Sequence, residues 1–270
     1  MKFAIMALLI LAAMGAAIHV VMAARFRARA DGLAQAIVLG PPVSTAETPP
    51  VITDYAMANG AGSGGPARAV RLVQDAELQL SPDGAFAPMP AVQTIGLGAP
   101  GFGWFAEAPL AGVPKYRVID AYVDGTGLLE ARLFGSIRIA HAKGAIADRA
   151  EAMRYLAELP WVPDAMIGNP DIVWTQRDDG WVEAALDLPD GRVAVRFRFD
   201  GADIVEMWAD ARPDIDDDGR EITRIWRGHF SEYIVIGDRR IPSRGEVGYV
   251  TNGQYAPYWR GQVTEYQILR

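Results

Sequence analysis

Met153-Arg-Tyr-Leu-Ala-Glu-Leu-Pro-Trp-Val-Pro-Asp-Ala-Met166 is the one convincing helical stretch in the folded part of the chain, with strand-like segments on both sides. Asp148 followed by Glu151 spells a capping box, and Ala150, Met153, Leu156 and Ala157 supply an apolar face. Pro160 and Pro163 end the helix and set Trp161 on a rigid corner. A lone helix among strands is either the plug of the sheet or its lid.

Working outward, the period changes from 3.6 to two. Val70, Leu72, Ala76, Leu78 and Leu80 alternate with Arg71, Asp75, Glu77 and Gln79, as in a strand with one wet face. Pro82-Asp-Gly84 turns the chain into a second strand over 86–97, whose prolines suggest an edge or irregular segment. Phe102-Gly-Trp104-Phe105 opens the next strand. Further strands are expected at Lys115–Val123 and Gly127–Phe134, the latter continuing through Ile137 and Ile139. Beyond the helix, strands are expected at 171–176, 181–188, 192–199, 203–209, 224–236, 239–250 and 258–269. Asp178-Asp-Gly180, Pro189-Asp-Gly191, Asp200-Gly201, Gly237-Asp238 and Asn252-Gly253 supply the residues that tight hairpins need. Closely spaced hairpins imply a mainly β (α+β) fold: a curved antiparallel meander or incomplete barrel of about eleven strands closed by one amphipathic helix.

Ahead of this lies Phe3–Ala24, 22 residues without a charge. As a helix it would span about 33 Å, close to a bilayer core. It reads as a transmembrane anchor or a signal peptide; its length favours the anchor, although Ala28-Arg-Ala30 resembles a cleavage site. Residues 1–30 are therefore assigned to the membrane segment and 67–270 to the β-rich domain. Residues 31–66 read as a linker containing a short helix over 49–59, started by Pro49-Pro50 and stopped by Asn59-Gly60. Gly60-Ala-Gly-Ser-Gly-Gly65 reads as a flexible joint. His19 inside the apolar run is expected to reach the interface.

Charge narrows the partners. The net charge is −7, but residues 1–29 hold Lys2, Arg25, Arg27 and Arg29 and no acid, leaving 22 bases against 33 acids. A domain of that sign repels phosphate backbones, so nucleic acid is not expected as a partner. The chain has no cysteine and three histidines, His19, His141 and His229, which removes thiolate chemistry and leaves little for zinc or Ser-His sites. No cofactor is expected. Gly96-Leu-Gly98-Ala-Pro-Gly101 matches the letters of a dinucleotide loop, but Pro100 and the following strand deny it the helix such a loop must open. Ser63 misses the nucleophile elbow because Ala61 stands where the first Gly is required.

Asp214-Ile-Asp216-Asp-Asp218-Gly219 repeats the start of a calcium loop, which makes Asp214, Asp216 and Asp218 a metal candidate, yet the twelfth position is Ile225 and not a bidentate Glu. Arg154 and Glu158 share a helix face, with Asp120 and Tyr122 on a strand as candidate partners. Their structural reading is an ion pair; their functional reading is a polar group at the mouth of an apolar cavity. Trp104, Trp161, Trp226 and Trp259 are expected to serve the core first. The candidate ligand-binding set is Arg154, Glu158, Trp161, Asp120, Tyr122 and Trp226; no catalytic residue stands out.

These blocks resemble a bacterial family of uncharacterised proteins from about Pro49 onward. They are Pro49-Pro-Val-Ile-Thr-Asp-Tyr55, Gly101-Phe-Gly-Trp104, Asp120-Ala-Tyr122 with Gly125 and Gly127, Arg154-Tyr-Leu-Ala-Glu158 with Trp161 and Pro163, Trp226-Arg-Gly228, and Ile241-Pro242 with Glu246. The layout is similar to the incomplete barrel with a helical lid of periplasmic lipoprotein carriers (LolA/LolB-like), whose hollow holds acyl chains. The resemblance implies a non-enzymatic, membrane-anchored envelope protein that binds a lipid or other apolar ligand between sheet and helix. It also places the domain outside the cytoplasm, against the lean of Arg25, Arg27 and Arg29. The alternatives are a hydrolase using Asp120 or Glu158 beside Arg154, and a structural partner of a membrane protein.

Overall fold

The computed structural model describes residues 2–79, 81, 84–110, 113–216 and 218–270. A long helix α1 (Lys2–Val38) and a short one, α2 (Pro50–Ala58), precede seven strands: β1 (Ala69–Gln79), β2 (Phe86–Pro88), β3 (Ala91–Gly96), β4 (Phe102–Leu110), β5 (Val113–Val123), β6 (Thr126–Leu133) and β7 (Ile137–Lys143). Helix α3 (Ala145–Ala157), a 3₁₀ turn at Leu159–Trp161 and helix α4 (Pro163–Gly168) follow. The second half is β8 (Val173–Gln176), β9 (Val182–Leu188), β10 (Gly191–Asp200), β11 (Asp203–Ile215), β12 (Glu221–Ile236), β13 (Arg239–Thr251) and β14 (Gln254–Leu269).

All pairings are antiparallel, in one sheet of order β7-β6-β5-β4-β3-β1-β14-β13-β12-β11-β10-β9-β8, with β2 attached to β1. The two halves join where β1 pairs with β14. The edge strands β7 and β8 do not pair with each other, so the sheet stays open. It is nevertheless curled: α3 touches β5, β6 and β7 near one edge and β9, β10 and β11 near the other. A thirteen-strand run can meet one helix at both ends only by wrapping around it.

The mainly β, incomplete-barrel expectation is met, with fourteen strands among the described residues where about eleven were expected. Two of the extra strands have local causes. The expected 86–97 strand is split into β2 and β3 around Pro90, whose missing N–H cannot serve the ladder. The strand expected to run from Gly127 through Ile139 reverses at Phe134 and Gly135, both with positive φ (51° and 75°), making β6 and β7 a hairpin. Leu80, the Pro82-Asp83 part of the first expected turn and Asp217 lie outside the described residues.

Three local expectations need correction. The Asp148/Glu151 capping box does not form: α3 starts earlier, at Ala145 after Gly144, and Asp148 accepts the Gly127 backbone N–H at 2.6 Å. The capping pair sits a turn too deep because Gly144, with φ 93°, is what lets the chain leave β7. Residues 31–38, read as tether, extend α1, since Leu33 and Ile37 have a sheet to pack on. Gly60–Gly65 is a pinned turn and not a free joint. Asp164 accepts the Gly62 N–H at 2.9 Å, and Arg239 donates to Ser63 Oγ at 2.7 Å.

Helix α1 is two structures in sequence. Residues 2–22 are exposed, while Phe26 and Ala30 are buried against the outer face of the sheet with Ile119, Ala121 and Leu128, and Ile37 is buried over Gly96, Gly101 and Gly103. Burying Phe26 alone contributes roughly 1.5–3 kcal/mol. Arg29 donates to the buried Glu130 at 2.7 Å, and Arg27 lies over Phe105. At the far end, Gly98 lets the chain leaving α1 cross the β3–β4 bend, since a Cβ there would stand 2.4 Å or less from the Pro41 and Pro42 carbonyl oxygens. That close approach accounts for Gly98 among the glycine-rich letters.

The inner face carries the main core, into which α2 inserts Ile52 and Tyr55. Arg239, 1% exposed, makes a two-pronged pair with Asp164 at 2.7 and 2.9 Å, tying β13 to α4. Removing one partner of such a pair leaves an uncompensated buried charge. Asp164→Ala is expected to lower unfolding stability by about 3–5 kcal/mol in urea titration; a loss below about 1 kcal/mol would show that Arg239 is not held by this pair.

Candidate functional site

Between the inner face of the sheet and α3 lies a cavity of about 990 Å³. Its size is at the upper end of small-molecule sites, roughly 300–1,000 Å³. The wall is mostly apolar: Leu78, Val118, Leu129, Val247 and the rings of Trp104, Trp161, Trp226 and Trp259. Strand alternation supplies this lining, because every second residue of β5, β6, β13 and β14 faces inward. Helix α3 contributes small residues, Ala147, Ala150 and Ala157, and these leave the space open.

One part of the wall is ionic. Arg154 on α3 donates to Glu158 at 2.9 Å and to Asp120 of β5, while its guanidinium lies 4.7 Å from the centre of Phe102 and 5.3 Å from that of Trp104. Glu158 also accepts from Gln93, Gln93 accepts from Gln74 at 3.0 Å, and Trp104 Nε1 donates to Gln74 at 2.9 Å. A continuous polar chain thus runs from α3 through β3 to β1 and β4. Arg212 of β11 donates to the Ala150 carbonyl at 2.8 Å, stacks 4.1 Å from the centre of Trp226, and stands 3.7 Å from Glu151.

Two guanidinium groups face three carboxyls here, so the cluster is neutral only if one carboxyl keeps its proton. Burial and the neighbouring Asp120 push the Glu151 carboxyl well above its ordinary value of 4.5. Burial also raises Glu158, against the pull of Arg154 and Gln93. Asp120 Oδ1 and Glu151 Oε2 have no other partner among the described residues. A proton kept on Glu151 and donated to Asp120 satisfies both atoms and balances the charge.

Five of the six sequence candidates, Arg154, Glu158, Trp161, Asp120 and Trp226, line the cavity. Tyr122 does not; it is buried in the core on β5, with burial raising its phenol. The tryptophans expected in the core serve both, since Trp104, Trp161 and Trp226 are at most 4% exposed and still border the cavity. His141 is on the wall and His229 is not.

The calcium candidate comes apart. Asp214 accepts from Arg224 at 2.6 Å, Asp218 from Arg220 at 2.6 Å, and Asp216 from the backbone N–H of Asp218 and Arg220. The carboxylates serve their own hairpin, and among the described residues no group of three or more His, Asp or Glu side chains is placed to hold a metal ion.

Glu151, Arg212, Gln74 and Gln93 were not foreseen. Glu151 had a readable signal: with Arg154 and Glu158 it makes a 3-then-4 spacing, a polar stripe on the face that should have been apolar. Arg212 and the glutamines join only through pairing across the sheet.

The raised Glu151 pKa fixes a pH dependence. The stabilisation from its protonated form is complete below the unfolded value near 4.5 and is lost as pH climbs toward the raised folded value. Glu151→Gln keeps a neutral donor beside Asp120. Its melting temperature should exceed that of the parent at about pH 8 and match it at about pH 4; an equal gap at both would show that Glu151 does not hold a proton.

The sequence profile of DUF6544, described as a family of unknown function, matches residues 42–261. No curated protein matches the chain. Among solved structures, the chain is similar to a DUF1329 family protein from Desulfovibrio piger, with 9% identity, 82% of this chain and 94% of that one covered, and a TM-score of 0.42. It is also similar to a LolA superfamily protein from Nitrosomonas europaea, with 10% identity, 84% and 94% covered, and a TM-score of 0.42.

Proposed function

The chain belongs to DUF6544, a family whose function is unknown, so its role must come from its own geometry, and we propose that it is a non-enzymatic, membrane-anchored protein that binds an amphipathic ligand with its acyl or other apolar part in the cavity under α3. The single observation that carries this reading is the cavity of about 990 Å³, lined by aliphatic and indole groups, in a domain carried on an apolar helix. Keeping a space of that size and lining filled with water is costly. An apolar ligand removes the cost.

Arg154, Glu158, Asp120, Trp161 and Trp226 are the residues we assign to the ligand's polar end. They suit recognition better than hydrolysis. An acid or base beside Arg154 must be free to exchange a proton with substrate, whereas Asp120 is paired with Arg154, and Glu158 with both Arg154 and Gln93. The cluster therefore presents fixed, mutually neutralised dipoles, which orient a headgroup without attacking it.

α1 is long and apolar enough to cross a membrane by length and composition, and we assign it as the anchor of a domain outside the cytoplasm. Arg27 and Arg29 lean the other way as topogenic charges, but each has a structural reason to be present: Arg27 against Phe105 and Glu107, Arg29 on Glu130. Cleavage of the domain by added protease in spheroplasts, with protection in intact cells, is the expected result; protection in both would place it inside.

Native mass spectrometry of the full chain released gently from detergent should show one retained lipid-like adduct. Val118→Trp and Val247→Trp, which add bulk to the cavity wall, should each cut that occupancy by about tenfold or more while the fold is kept. An adduct-free parent protein that takes up no added lipid would contradict the reading.

A further inference from the structure

The hairpin of β6 and β7 breaks the rules of a water-exposed hairpin. Its turn residues are Phe134 and Gly135, with φ of 51° and 75°. The chain's other turns of this kind use Asp124-Gly125 and Asn252-Gly253, as the left-handed region favours. A bulky aromatic residue in that conformation is strained, and Phe134 is 38% exposed as well. Ile137 and Ile139, just beyond the turn, are 58% and 53% exposed. They lie on β7, an edge strand whose outer backbone row has no neighbour among the described residues. An exposed apolar edge of this kind is an aggregation hazard in water.

Its position supplies the reason. Ser136 Oγ and His19 Nδ1 share a hydrogen bond of 2.6 Å, and a Cβ on Gly135 would lie 3.3 Å from Ala23 Cβ. The hairpin tip therefore stands at the height where α1 passes from its docked half to its bare apolar half. If residues 2–22 are in the bilayer, the tip is at the bilayer surface. Arg138 lies between the two isoleucines and the Arg117 guanidinium lies against Gly135, so cations flank the tip at the level of lipid headgroups.

We propose that the β6–β7 hairpin is a second membrane contact, with Phe134, Ile137 and Ile139 inserted in the lipid interface beside α1. The contact continues into the cavity. Pairing places Leu133 opposite Ile137, Ala131 opposite Ala140 and Leu129 opposite Ala142, and paired residues share a face. Leu129 and Ala142 are cavity wall. This single apolar strip leads from the inserted tip to the cavity, and it is the path by which an acyl chain moves between bilayer and protein. The path rests on the proposed ligand-binding function; the insertion rests on α1 alone.

The absence of cysteine allows single labels to be placed in the full chain. Ile137→Cys and Ile139→Cys, each carrying a polarity-sensitive fluorophore, are compared with Val235→Cys, which is 70% exposed on β12 away from the strands that α1 docks on. In vesicles of phosphatidylcholine and phosphatidylglycerol, the 137 and 139 labels should shift to the blue and be quenched by doxyl lipids, and the 235 label should not. Labels at 137 and 139 as open to aqueous iodide as that at 235 would overturn the proposal. Ile137→Asp with Ile139→Asp should slow lipid uptake from vesicles by about tenfold or more while leaving occupancy from detergent-dissolved lipid unchanged; an unchanged vesicle rate would remove the path. These readouts separate two failures: a quenched hairpin over an empty cavity removes the ligand, and an unquenched hairpin beneath a loaded cavity removes the insertion.

Discussion

Everything in the domain depends on how α3 is held inside the curl of the sheet, and Arg154 is the group that holds it. A buried guanidinium must be compensated, and here Asp120 comes from β5 while Glu158 is tied to β3 through Gln93. The helix is thereby fixed at one height above one flank of the sheet, and Arg212 fixes the opposite flank through the Ala150 carbonyl. Toward the space below, the helix offers alanines, Ala147, Ala150 and Ala157, beside the ionic Glu151 and Arg154. Met153, Tyr155 and Leu156 pack one side of the helix into the core, and the cavity is what remains on the side that carries the alanines and the ion pairs.

The same economy appears at the membrane end. One continuous helix is bare over residues 2–22 and docked from Phe26 onward, so the domain has no flexible stalk between it and the apolar segment. With α1 as the anchor proposed above, a rigid attachment would give each part of the sheet a defined height above the bilayer. That turns an otherwise unfavourable hairpin, with Phe134 in a left-handed turn, into a feature with a physical reason.

The fold was largely legible because it is built from short-range signals. Turn residues such as Asn252-Gly253 mark reversals, alternation such as Val193, Val195 and Phe197 marks strands, and Pro160 and Pro163 mark the end of α3. What was not legible needed contact partners. Residues 31–38 carry no periodic pattern strong enough to announce a helix, and they become one because β3 to β5 offer a surface to Ile37. Phe134-Gly135 does not look like a turn, since Phe is the wrong residue for it in water. In the site, Arg154, Glu158 and Asp120 could be linked by spacing and charge, whereas Arg212 joins from β11 only through the closure of the sheet. Arg239 with Asp164, the most deeply buried ion pair, joins residues 75 positions apart and gave no local sign.

The central claim is that a bilayer lipid places its acyl chain in the cavity under α3. The most direct measurement is photocrosslinking of the full chain in vesicles containing a phospholipid with a diazirine near the end of its acyl chain, with the adducts mapped by peptide sequencing. The account predicts adducts on Val118, Leu129 and Val247 as well as on α1. Adducts confined to residues 3–22 would contradict it.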